Sequence, residues 1–372
     1  MTRARDLADL AGSADAGGIT GRNLIINGAM QVAQRGTSET GVTTTGYKTT
    51  DRWQFQLTTI GTWTVSQSTT APDGFSNSYK LECTTADASP AGADNMAFKQ
   101  RIEGQNLQHL KYGTASAQPM TLSFWVRSSK TGTYVCELLQ PDASNRHINK
   151  SYTISSANTW EYKTITFAGD SSGVINNDNG EGLQVNWWLG SGSGFSSGTL
   201  QTSWGALDQT ARAVGNVNLA DSTSNDWYIT GVQLEVGETA TPFEHRSYGD
   251  ELARCQRYYQ KDLYEGNSVI AIGTTAGTTS AFAPISFSGG QMRTSPTITL
   301  PTAGQGSNLM TFLKDDTGYP TTTGSHSADA VSNISFRLAG SSYVGLSGNG
   351  VSSWLYPGPA SGSVYFEYDA EL

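Results

Sequence analysis

Residues 22–247 alternate apolar and polar side chains in short runs. Asp51-Arg-Trp-Gln-Phe-Gln-Leu sets Trp53, Phe55 and Leu57 on one side of an extended chain. Met120–Arg127, Tyr162–Phe167, Gln184–Leu189 and Trp227–Leu234 repeat that period, and Asn23-Leu-Ile-Ile-Asn-Gly is an apolar run ending on a turn dipeptide. Gly, Asn, Asp and Ser clusters separate the runs. Strand-length alternation punctuated by turns predicts an antiparallel β-sandwich. Residues 247–260 break the period. Ser247 can cap a helix, with Asp250 and Glu251 in its first turn and Leu252, Cys255, Tyr258 and Tyr259 on one stripe. Strand patterns return at Ser268–Ile272, Phe282–Phe287, Thr297–Leu300, Leu309–Leu313, Ile334–Leu338 and Val364–Tyr368. The pattern therefore predicts an all-β chain: a β-sandwich, a short helix and a second, smaller β-sandwich.

Ahead of the first sandwich, Ala4, Leu7 and Leu10 recur at helical spacing before Gly12 to Gly18 interrupts them. A turn or two of helix cannot stand alone. This lead is either a frayed terminus or a piece that needs a partner surface.

Composition agrees with the strands. Only 15% of the 372 residues are charged, 42 are Gly, and there are 9 Trp, 16 Tyr and 12 Phe. That many aromatics argues against a disordered chain, and the shortage of charged helix formers argues against a bundle. The net charge is −9 and no basic run occurs, so no nucleic-acid partner is expected. No apolar stretch approaches a membrane span, and the first residues do not resemble a secretory signal. Synthesis in a host cytoplasm without membrane insertion is the expectation. Three widely spaced cysteines, Cys83, Cys136 and Cys255, suit buried thiols rather than a disulfide framework.

Catalytic motifs do not emerge. The four histidines form no metal-spaced pair, and the Gly190-Ser-Gly-Ser-Gly stretch lacks a phosphate-loop context. The polar loop Asn176-Asn-Asp-Asn-Gly-Glu-Gly offers Asp178 and Glu181 as oxygen ligands for a structural Ca²⁺, or is a plain solvated loop. The aromatics are the better signal, because flat rings stack on sugar faces. Trp187 and Trp188 point to opposite sides of one strand, so at most one of them faces the core. Together with Trp204, Tyr343, Trp354 and Tyr356 they are the candidate glycan contacts, with core packing as the alternative for each.

Arg22-Asn-Leu-Ile-Ile-Asn-Gly-Ala-Met-Gln-Val-Ala-Gln-Arg-Gly-Thr-Ser resembles the opening of many bacteriophage tail-fibre and related virion proteins. Asp51-Arg-Trp, the stretch from Gly231-Val-Gln-Leu-Glu-Val-Gly to Gln256-Arg-Tyr-Tyr, and Met292-Arg-Thr-Ser-Pro-Thr-Ile-Thr fit the same family. The resemblance implies a jelly roll like that of carbohydrate-binding modules at 22–246, a helical connector at 247–262 and a C-terminal sandwich, the tip, at 263–372. Residues 1–21 carry little of the resemblance; in this setting their helical spacing is read as a virion-docking lead that holds other virion proteins, with Ala4, Leu7 and Leu10 as contacts. It also implies a homotrimer, for which Leu252, Cys255, Tyr258 and Tyr259 are the expected contacts, with Arg254 and Arg257 pairing with Asp250 and Glu251 of another copy. Such modules often hold a calcium. Ala29 stands where the family has an acid, which leaves Glu235 as the remaining ligand candidate. The expected function is a virion adhesin, on tail or capsid exterior, that binds host cell-surface polysaccharide without catalysis. A purely structural head fibre or capsid decoration protein is the first alternative, and a polysaccharide depolymerase the second.

Overall fold

The computed structural model describes residues 21–265, 269–300, 310–314, 325–341, 352–357 and 363–372. The chain forms two compact units, one reaching to Glu251 and joined by Leu372, the other running from Leu252 to Glu371.

In the first unit thirteen strands are β1 (Ser38–Val42), β2 (Gly46–Tyr47), β3 (Gln54–Thr58), β4 (Thr62–Ser68), β5 (Ser78–Thr85), β6 (Asn95–Glu103) and β7 (Met120–Ser128), followed by β8 (Gly132–Gln140), β9 (Arg146–Ile154), β10 (Glu161–Phe167), β11 (Glu181–Ser191), β12 (Gly205–Ala206) and β13 (Asp226–Val236). They make two antiparallel sheets, one of six strands in the order β1-β4-β5-β13-β7-β10 and one of seven in the order β12-β9-β8-β11-β6-β3-β2. The alternation read from the sequence sets the inner faces. Trp53, Phe55 and Leu57 are all buried, as are Met120, Leu122, Phe124 and Val126. The centre of the core is aromatic. Trp53 stacks on Phe98 at 4.5 Å between centroids, and Trp187 meets Trp53 edge-on at 5.8 Å. Trp227 approaches Phe98 from the opposite sheet at 5.5 Å. Such pairs add directional energy to area burial.

The Asn23–Gly28 run, expected as a strand, enters neither sheet, and its backbone bonds the β13 backbone only through Leu24 N to Leu234 O and Val232 N to Gly28 O. Side chains satisfy its amides instead. Ile25 N donates to Asn23 Oδ1 at 3.0 Å, Ile26 N to Gln100 Oε1 at 2.8 Å and Asn27 N to Glu251 Oε1 at 2.6 Å. Asn27 turns the chain with φ +59°. Gly28 then passes so close to β13 that a Cβ there would lie 2.1 Å from the Val232 carbonyl oxygen. The Asn-Gly pair is thus fixed by one left-handed residue and one close backbone approach.

The helix spans Tyr248–Gln256, here α2, after a single turn α1 (Ser193–Ser196). Ser247 Oγ accepts from Asp250 N at 3.2 Å, as the capping pattern predicts. The helical connector is shorter than 247–262, because Tyr259 already opens a strand. Consecutive β-favouring tyrosines and a full-length partner strand outweigh helix propagation. In the second unit β14 (Tyr259–Glu265), β22 (Ser363–Asp369) and β17 (Thr297–Thr299) form a three-stranded sheet in that order. The other strands are β15 (Ala271–Thr275), β16 (Ala281–Ser286), β18 (Met310–Lys314), β19 (Ser325–Asp329), β20 (Ser335–Ser341) and β21 (Ser352–Pro357), ordered β18-β21-β15-β16-β20-β19. Its core gathers Phe287, Phe336, Phe366 and Tyr368, with Phe287 and Tyr368 centroids 4.7 Å apart. The described residues are all-β apart from short helices.

Candidate functional site

Each sheet of the first unit has an outward face, and the two faces differ. On the seven-stranded sheet, register places Gln54, Lys99, Asn186, Glu137 and Asn149 side by side across β3, β6, β11, β8 and β9. All five are buried. Glu137 is the hub of this row. It accepts from Arg212 Nε and Nη2, both at 2.8 Å, from Asn186 Nδ2 at 2.9 Å and from Trp188 Nε1 at 3.2 Å, with His147 Nδ1 at 3.1 Å. Burial alone would push the Glu137 carboxyl up. The Arg212 charge and the bonds from His147 and Arg212 overcome that and hold it at about 2. Burial, then the Arg101 and Arg212 charges, push the Lys99 ammonium down to about 8.

What closes this face is the segment between β11 and β13. Phe195 lies 5.4 Å from the Trp188 ring, Arg212 Cζ sits 4.9 Å above it, and Ala213 completes a small apolar cluster with Ala97 and Val135. Trp187 faces the core and Trp188 faces away from it, as strand geometry requires. Both are nevertheless buried, and neither is available to a sugar. Trp204 is also engaged: Nε1 donates to Ala168 O at 2.6 Å, and the ring meets Tyr112 edge-on at 5.7 Å.

The six-stranded sheet presents an open face. Thr230, Trp125 and Tyr162 are register partners across β13, β7 and β10. One row along, Ser66, Lys80, Tyr228 and Arg127 line up across β4, β5, β13 and β7. The next row brings Thr64, Glu82 and Asp226 together. Trp125 and Tyr162 lie 5.3 Å apart, and Tyr162 remains 46% exposed. Trp160 approaches Tyr228 at 6.1 Å. Two cations flank the Tyr228 ring, Arg127 Cζ at 4.8 Å and Lys80 Nζ at 5.4 Å from its centroid. Lys80 is itself paired with Glu82 at 2.6 Å. Beside this row is a cavity of about 370 Å³ whose lining includes Thr64, Glu82, Thr84, Thr223, Ser224 and Asp226. One face therefore carries the exposed Tyr162 ring beside a half-buried Trp125 and, beyond the buried Tyr228, a pocket of hydroxyls and carboxylates. The alternation of β7 and β10 held the signal for these rings. Trp125 is out of phase with Leu122, Phe124 and Val126, and Tyr162 with Ile165 and Phe167.

The remaining candidates fall elsewhere. Trp354 and Tyr356 lie on β21, opposite Ile272 and Thr311 respectively, with their side chains outside the described residues. Tyr343, Ala4, Leu7 and Leu10 are also outside the described residues. Leu252 is half-buried, while Cys255, Tyr258 and Tyr259 are buried within a single chain, so their stripe needs no second copy to cover it. Glu251, expected to meet another copy's arginine, bonds Asn27 N and lies 3.5 Å from Arg246. Glu181 pairs with Arg101 at 2.9 Å, and Asp178 Oδ1 accepts from Gly180 N at 2.8 Å. Glu235 accepts from Thr241 N and Gln233 Nε2, both at 2.8 Å, and from Thr241 Oγ1 at 2.6 Å. Among the described residues no three His, Cys, Asp or Glu side chains gather as metal ligands.

No family model matches the sequence, and no curated protein does. Solved structures with a similar course of the chain include the enzymatically active domain of tailspike protein 4 from bacteriophage CBA120. It is 14% identical over 58% of this chain and 21% of that one, with a TM-score of 0.31. A sugar-binding protein of Bacteroides thetaiotaomicron is 12% identical over 58% of this chain and 100% of its own, at 0.33. A family 22 carbohydrate-binding module of Clostridium thermocellum is 14% identical over 51% and 89%, at 0.29. At these scores the likenesses say nothing about what this chain binds.

Proposed function

We propose that the first unit is a non-catalytic carbohydrate-binding domain and that the chain is an adhesin of a bacteriophage particle, tail-fibre in type, contacting host-surface polysaccharide. One observation carries the binding reading: the exposed Tyr162 ring beside Trp125 on an open sheet face that continues into a polar pocket. A sugar offers apolar C–H faces and a rim of hydroxyls. Rings take the first, and Thr64, Thr84, Ser224, Glu82 and Asp226 offer donors and acceptors for the second. Glu82 and Asp226 serve in hydrogen bonding rather than catalysis. Each is already tied, Glu82 to Lys80 and Asp226 to Ser129 N at 3.1 Å. The particle context and the homotrimer rest on the family-like openings at Arg22 and Gly231. Three copies would raise a weak site to useful avidity.

The test is retention of the purified chain on a panel of bacterial surface polysaccharides, with reducing ends assayed and mass measured by light scattering. Retention without released reducing ends, at three times the chain mass, supports the reading. Release of reducing ends makes it a depolymerase. Failure to bind any polysaccharide points to a structural decoration protein, and a single-copy mass removes the trimer.

A further inference from the structure

Arg127 narrows the class of sugar that the open face can hold. It lies on β7 two residues from Trp125, directly opposite Tyr228. Its Cζ is 4.8 Å from the Tyr228 ring centroid. Nε donates to Asn158 O at 3.0 Å and Nη2 to Asn158 Oδ1 at 3.4 Å. A guanidinium has five coplanar N–H donors. Asn158 uses two of them and anchors the group beside the phenol ring, which leaves the two Nη1 hydrogens and one on Nη2 outside that anchor.

No carboxylate of the described residues makes an ion pair with this arginine. Lys80, on the other side of Tyr228, has Glu82 at 2.6 Å. Asp226, the nearest acid along β13, has Oδ1 bonded by Ser129 N at 3.1 Å and Oδ2 by Tyr228 OH at 3.3 Å. The chain carries 32 acidic and 23 basic residues, so an oriented guanidinium that no described acid pairs with goes against the overall balance. It stands two residues from the half-buried Trp125, which packs on the exposed Tyr162.

We propose that Arg127 receives the carboxylate of an acidic sugar while Trp125 and Tyr162 stack on that sugar or its neighbour. This rests on the glycan reading of the same face. The end of the guanidinium suits a carboxylate, and anchoring by Asn158 and Tyr228 lowers the cost of ordering it. A neutral glycan would leave this cation unmatched.

The test is a glycan array of matched pairs, uronate oligosaccharides against their methyl esters and sialylated against desialylated chains. It is probed with the full chain, with Arg127→Gln and with Trp125→Ala. The expected result is binding of acidic members about tenfold or more above their neutral partners, an advantage lost at high salt. Arg127→Gln should erase that advantage with the thermal midpoint unchanged, and Trp125→Ala should weaken both members of a pair. Hits that are neutral, or equal within pairs, overturn the acidic class and leave the glycan reading standing. No hits of either kind overturn both.

Discussion

Arg212 grips Glu137 with two parallel hydrogen bonds, Nε to Oε1 and Nη2 to Oε2, each 2.8 Å long. The carboxylate is fully buried, so removing the cation alone leaves a charge out of reach of water and held only by the hydrogen bonds of Asn186, Trp188 and His147. Arg212→Ala is expected to lower the unfolding free energy by about 3–5 kcal/mol, read by urea denaturation. The double variant Glu137→Leu with Arg212→Met should recover most of that loss, because it removes both charges together. An Arg212→Ala loss below about 1 kcal/mol would show that this pair does not hold the covering segment down.

Lys99 in the same row gives the pH dependence. Its ammonium titrates at about 8 in the folded chain, against an ordinary value of 10.5. Between those values the unfolded chain binds a proton that the folded chain has released, so stability rises with pH across that window. The rise should amount to roughly 3 kcal/mol at most. Lys99→Met should abolish it and raise stability at neutral pH. Chemical denaturation from pH 7 to 10.5 would show it, and a Lys99→Met profile parallel to that of the parent would rule it out.

Gly28 and Gly249 offer a matched pair of glycine substitutions. A Cβ at Gly28 meets the Val232 carbonyl oxygen at 2.1 Å, and Val232 N is bonded to Gly28 O at 3.0 Å. At Gly249 in α2 nothing lies within 4 Å. Gly28→Ala should cost about 2 kcal/mol or more, or fail to fold. Gly249→Ala should be neutral or stabilise by up to about 1 kcal/mol. Thermal melts of the two variants check both signs.

Much of this was legible in the sequence. Trp53, Phe55 and Leu57 follow their two-residue period into the core, and the Ser247 cap begins the helix as its pattern says. The Asn23–Gly28 run misled because the backbone amides of Ile26 and Asn27 are taken by side chains of Gln100 and Glu251, which no local pattern reveals. The candidate rings show the same limit. Trp188 and Trp125 both sit out of phase with their strand's core residues. Phase places each on an outer face, but only the path of residues 192–217 decides which face is covered. The Trp187-Trp188 doublet is visible as a dipeptide, while Trp125 and Tyr162 lie 37 residues apart and pair only through register.

The most direct test of the account compares binding of the polysaccharide retained by the parent chain to Trp125→Ala/Tyr162→Ala and to Gln54→Ala, by calorimetry. The open-face double variant is expected to lose about tenfold or more, at about 0.5–1.5 kcal/mol per ring. The Gln54 variant, on the covered face, should bind as the parent does. Unchanged binding by the double variant, or a loss confined to Gln54→Ala, would contradict the assignment of the site to the six-stranded sheet.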